Sequence, residues 1–159
     1  MRALRLVVAL ICTTGVAVAA PRSHDEAAVR IASSSDESPG VLDAHARKHH
    51  GEIVRRALLD VLHRSGADVR HAGMARRQID AAIVSWDVAP TAGELTVAAA
   101  LRVVLCDERG KMLSIVTARA SVSAPRRGAR LHELREQALA EAVGSMSRTL
   151  QQQLARATS

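Results

Sequence analysis

Residues Glu94 to Cys106 alternate more cleanly than any other stretch of this chain, and the alternation restricts what it can fold into. Leu95, Val97, Ala99, Leu101, Val103 and Leu105 share one face of an extended strand, while Glu94, Thr96 and Arg102 lie on the other. A strand that is apolar on one side needs a second layer against that side and can leave its other side wet. Neighbouring segments extend the pattern into a sheet. Gln78 to Val88 is rich in Ile, Val and Trp and ends at a turn built from Pro90 and Gly93. Asp107-Glu108-Arg109-Gly110 has Asp at the first turn position and Gly at the fourth, so Lys111 to Ser123 returns as the next strand. Its apolar phase changes after Ile115, which predicts a bulge. A weaker extended signal covers Ala67 to His71.

Two helices supply the second layer. Ile53, Val54, Ala57, Leu58, Val61 and Leu62 form one stripe of a helix over about Asp43 to Ser65. Asp43 suits its N-cap, and Gly66 suits the left-handed residue after its end. Arg55, Arg56 and Arg64 are expected to point outward. The second helix covers about Leu131 to Leu154, with Leu131, Leu134, Leu139, Val143, Met146 and Leu150 in its buried stripe. The expected fold is therefore an α/β (α+β) two-layer sandwich, an antiparallel three- to four-stranded sheet with two amphipathic helices in the order α-(β)-β-β-β-α. Trp86 is either a core anchor or a partner-binding side chain, and the alternation of its strand does not say which face it takes.

Upstream of this domain the composition changes twice. Arg2 and Arg5 precede an apolar stretch from Leu6 to Ala20, which closes on Ala17-Val18-Ala19 ahead of Pro21. The pattern is that of a secretory signal cleaved near Ala19. Its apolar run of about 15 residues is shorter than the roughly 18–20 that span a bilayer, so no transmembrane segment is expected after cleavage. Cys12 follows Leu10-Ile11 and makes no lipobox. The next segment, with Ser33-Ser34-Ser35-Asp36-Glu37-Ser38-Pro39-Gly40 at its centre, has few apolar groups to offset the entropy of ordering and reads as a flexible linker. The expected divisions are a signal at 1–19, a linker at 20–42 and one domain at 43–155.

Export changes the remaining arithmetic. The chain holds 22 Lys+Arg and 16 Asp+Glu, and losing Arg2 and Arg5 leaves 20 cations. Arg55-Arg56, Arg76-Arg77 and Arg126-Arg127 are dispersed along the chain, and Trp86 is the one aromatic residue. Without stacking platforms, nucleic acid is not an expected partner; an anionic lipid or polymer is compatible with the charge. With Cys12 removed, Cys106 remains alone, so no internal disulfide forms, and it reads as a small buried apolar side chain.

Histidine is the residue class that suggests chemistry. His45 and His49 lie four apart at the start of the first helix, where both imidazoles share a face and could hold one metal ion, with His50 alongside. No third ligand follows at fixed spacing. There is no Gly-x-Ser-x-Gly, no Gly-rich phosphate loop, no Cys-x-x-Cys and no paired carboxylates, so neither an enzyme nor a cofactor is expected.

Three features give the chain a family likeness. These are the helix ending in Ser65-Gly66-Ala67-Asp68-Val69, the strand opening on Ile79-Asp80-Ala81, and the long hairpin turning at Asp107-Glu108-Arg109-Gly110. Over Ile53 to about Val122 the chain resembles the small α/β domain of bacterial envelope proteins such as the TolB N-terminal domain and the CsgG and LpoB families. The resemblance implies an envelope interaction module, transfers no functional residue, and lacks the aromatic that usually follows the Ser-Gly turn. The expectation is a periplasmic, non-enzymatic protein that binds another envelope protein through its sheet edge or exposed sheet face; the alternative is metal binding through His45 and His49.

Overall fold

A computed structural model describes residues 28–40, 43–66 and 76–157. Its elements are β1 (Val29–Asp36), α1 (Ala44–Ser65), β2 (Arg77–Pro90), β3 (Glu94–Asp107), β4 (Met112–Pro125) and α2 (Leu131–Ala157). The two-layer α/β sandwich is present as expected, with a four-stranded sheet in the order β1-β2-β3-β4. The signal segment, its cleavage position near Ala19 and the weak strand at 67–71 lie outside the described residues.

Residues 29–36, placed in a linker by composition, form a strand, and it runs parallel to β2. The order is thus β-α-β-β-β-α, a parallel strand added to an antiparallel meander, with α1 as the crossover that parallel neighbours require. Val29 and Ile31 are buried against the core, and the Ser-rich half is held by pairing to β2 and by Asp36. Apolar content alone therefore underestimated this segment, because backbone pairing and polar anchoring do not appear in hydropathy.

The helices form for the local reasons read from the chain. Asp43 caps α1 by accepting from the Ala46 amide at 2.7 Å, and Gly66, at φ 68°, ends it with its N–H directed to the His63 and Leu62 carbonyls. Val54, Leu58, Val61 and Leu62 are buried beneath it. In α2, Leu134, Leu139, Val143, Met146 and Leu150 are buried, whereas Leu131 stays exposed at the first turn. These side chains meet Ile79, Ile83, Val97, Leu101, Val103 and Leu105 in one core. Each fully buried Leu or Ile there contributes roughly 1.5–3 kcal/mol.

Arg55 is exposed, as expected, and from there reaches β1, donating to the Ile31 carbonyl at 3.3 Å. Arg47 does the same at the strand's end, donating to the Asp36 carbonyl at 2.7 Å. Gly51 lets α1 approach this closely: a Cβ there would lie 2.8 Å from the Ser34 carbonyl oxygen.

Three register shifts set which side chains face the helices. In β1 the shift falls between Ile31 and Ser33, in β2 between Ile83 and Ser85, and at the β3/β4 pair between Leu105 and Cys106. The last leaves Leu113 unpaired between Met112 and Ser114; the bulge expected after Ile115 is not there, since Ile115 and Val116 pair in unbroken register with Val104 and Val103. The Asp107 turn is closed as expected, with Oδ1 accepting from the Arg109 and Lys111 amides at 2.9 Å each.

Candidate functional site

Two of these bulges build a polar cluster under α1. With strict alternation, Ile79, Ala81 and Ile83 would continue through Ser85 on the helix side and turn Trp86 outward. The β2 bulge instead pairs Trp86 with Ala99, a buried core residue, so the indole faces the helices. The β1 bulge likewise places Asp36 opposite Ile83 on that same side. Trp86 is half-buried and packs against the core. This decides the question that the alternation of its strand left open.

Asp36 is the hub. Its Oδ1 accepts from the Ser38 amide at 3.1 Å and from the Ser38 hydroxyl. Its Oδ2 accepts from His50 Nδ1 at 2.8 Å and from Trp86 Nε1 at 3.2 Å. The side chains of Asp36 and His50 are 0 % and 5 % exposed, and Ser38 is buried as well. Burial alone would raise the carboxyl pKa; the hydrogen bonds from the Ser38 hydroxyl, His50, Trp86 and the Ser38 amide outweigh it and hold the group below its ordinary value. Because an ionised carboxylate only accepts, His50 carries a proton on Nδ1. The His50 ring lies 5.1 Å from Trp86 between centroids, and the Arg135 guanidinium stands 5.5 Å over the indole from α2.

A buried Asp–His pair is also the orienting half of a nucleophilic triad, but among the described residues no hydroxyl or thiol is hydrogen-bonded to the His50 ring. The Ser38 hydroxyl donates to Asp36, not to His50. A groove of about 240 Å³ opens at the start of α2 beside Arg127, Arg130 and Glu133, and another of about 250 Å³ lies beside Arg77, Leu113 and Arg156; neither is lined by Asp36 or His50. The cluster ties β1, α1, β2 and α2 together.

The histidines named from sequence have three different fates. His45 is exposed at the start of α1. His49, also exposed, meets Glu136 of α2 at 3.0 Å. His50 is turned inward to Asp36. The helix brings no third ligand to His45 and His49, and among the described residues no group of three or more His, Cys, Asp or Glu side chains is arranged to hold a metal ion. Asp36 and Ser38 escaped sequence reasoning because they sit in the Ser-rich stretch; an Asp with a Ser two residues later is an Asx-type turn signal that could have marked them.

The second distinctive feature is the outer edge of β4. Among the described residues it lies at the end of the sheet, with no strand beyond it. Met112, Leu113 and Ile115 are 57 %, 42 % and 50 % exposed. Across fourteen residues the strand carries no acid and one cation, Arg119, which pairs with Asp87 on the sheet's open face. Natural sheets usually blunt such an edge with charges or cover it. The opposite edge is treated differently, since Arg47 and Arg55 already occupy β1 carbonyls. Among the described residues, no helix is long and apolar enough to cross a membrane.

No family model and no curated protein matches the chain. Solved structures similar to it include a Helicobacter pylori protein designated a neuraminyllactose-binding hemagglutinin homolog, at 12 % identity over 82 % of this chain and 86 % of that one, with a TM-score of 0.50. A Caulobacter crescentus CB15 protein designated a lipoprotein is 17 % identical over 76 % of this chain and 90 % of that one, with a TM-score of 0.48. A minor lipoprotein from Acinetobacter baumannii is 13 % identical over 77 % and 89 %, with a TM-score of 0.46. At such identities the likeness to the first is one of fold.

Proposed function

We propose that this chain is an exported, non-enzymatic module of the bacterial envelope that binds another envelope protein along the outer edge of β4. The observation that carries the reading is that edge itself: long, almost uncharged and apolar at its start, on a sheet whose other edge is engaged by helix side chains. Export follows from the signal pattern at 1–19, and the partner is sought in the same compartment. Kinship with the small domain of the TolB, CsgG and LpoB families belongs to this proposal, on the motifs named above.

Photocrosslinking in intact cells tests it. A photoreactive residue replacing Thr117 on β4 is expected to give one discrete protein adduct, while the same residue replacing Leu59, exposed on α1, gives none. Equal adducts from both positions, or none from either, would overturn the reading.

A further inference from the structure

We infer that the partner segment which the β4 edge accepts is an acidic extended strand; this rests on the proposed docking edge. From Arg109 to His132 the chain contains six cations and no acid, the nearest acids being Glu108 before it and Glu133 after it. β4 runs through the middle of this stretch, with Arg109 and Lys111 at one end, Arg126 and Arg127 at the other, and Arg119 between. All five are exposed. Arg119 pairs with Asp87, and Arg130, on α2's approach, pairs with Glu133. Arg109, Lys111, Arg126 and Arg127 form no ion pair among the described residues. At this end Asp107 precedes Glu108; its Oδ1 is taken by turn amides, and those bonds together with the charges of Lys111 and Arg109 hold its carboxyl below the ordinary value.

A strand added to β4 therefore meets main-chain groups along its length, apolar side chains at Met112, Leu113 and Ile115, and positive charge concentrated at Arg126 and Arg127, while Asp107 and Glu108 accompany Arg109 and Lys111 at the other end. Backbone pairing supplies length-dependent affinity and is indifferent to sequence; the charges select. A second copy of this chain fits poorly. Antiparallel pairing of two β4 strands would bring Arg109 and Lys111 of one, with Asp107 and Glu108 beside them, towards Arg126 and Arg127 of the other, leaving four cations against two acids.

The test uses the mature chain with two fluorescent ten-residue peptides, one alternating Glu and Val, the other alternating Lys and Val. Binding by polarisation is expected for the acidic peptide alone, weakening with added salt. It should come with new protection of β4 amides in hydrogen exchange. The triple variant K111E/R126E/R127E should weaken the acidic peptide about tenfold or more and favour the basic one; the exposed positions make misfolding easy to exclude by circular dichroism. Equal binding of both peptides, or binding of neither while the Thr117 crosslink persists, would overturn the acidic partner and leave the docking edge standing. So would binding to phosphatidylglycerol vesicles without β4 protection and without acidic-peptide binding, which would assign the cations to a membrane surface. Loss of the crosslink as well would remove both.

Discussion

His50 Nδ1 donates to Asp36 Oδ2 at 2.8 Å with both side chains buried, and this bond fastens α1 to a strand that hydropathy would leave unfolded. The Asp36 carboxylate has three other donors, so its removal strands several buried groups at once.

Asp36→Ala should cost about 3–5 kcal/mol of unfolding free energy, because it leaves His50 and Trp86 donors without their acceptor. Ser38→Ala, which removes one hydroxyl while the Ser38 amide still bonds Asp36, should cost about 1 kcal/mol. Urea titration followed by the emission of Trp86, the one tryptophan, measures both. Equal, small losses for the two variants would mean that the cluster does not anchor β1.

Acid should weaken the same contact. The Asp36 carboxyl lies below its ordinary value of 3.8. A carboxylate depressed in the folded state stabilises fully above its unfolded pKa, and that contribution is lost as pH falls through the folded value. Wild-type stability attributable to Asp36 should thus be constant above about pH 5 and decline below about pH 4. Asp36→Asn should be less stable at neutral pH and lose less on acidification. Parallel acid profiles for the two proteins would remove Asp36 from this account.

Two glycine-to-alanine changes should have opposite signs. Gly51→Ala drives a Cβ into the Ser34 carbonyl oxygen and should destabilise by about 1–3 kcal/mol as α1 is pushed off β1. Gly144, exposed within α2, has nothing within 4 Å of the same added atom, so Gly144→Ala should stabilise by about 0.5–1 kcal/mol through helix propensity. Thermal unfolding of the pair decides; a shared sign would contradict the close approach.

Cys106 should resist thiol reagents in the folded protein. Burial raises its pKa, and the negative charges of Asp80 and Asp107 raise it further, so little thiolate forms at neutral pH. Reaction with Ellman's reagent should be slow in buffer and complete quickly in urea. Fast labelling of the native protein would show an accessible thiol.

Periodicity was enough to read β2, β3, β4 and both helices, including the Asp43 and Gly66 caps and the Asp107 turn, because each is decided by neighbours a few residues apart. β1 was not legible in this way. Ser33, Ser34 and Ser35 carry no hydropathy signal, and the strand exists through pairing with β2, more than forty positions later in the chain. The histidine group was visible as a cluster, but the sequence could not say that His50 turns inward while His45 and His49 stay in solvent.

What the chain determines by itself is therefore the local grammar: two amphipathic helices, a three-stranded meander, and a segment from Arg109 to His132 with cations and no acid. What tertiary structure alone decided is the placement of Asp36 and Trp86 on one side of the sheet. Each got there through a bulge, and a one-residue shift in register reverses every side chain beyond it. Such a shift is set by the pairing of strands distant in sequence and by the buried hydrogen bonds it makes possible, and no local pattern encodes either.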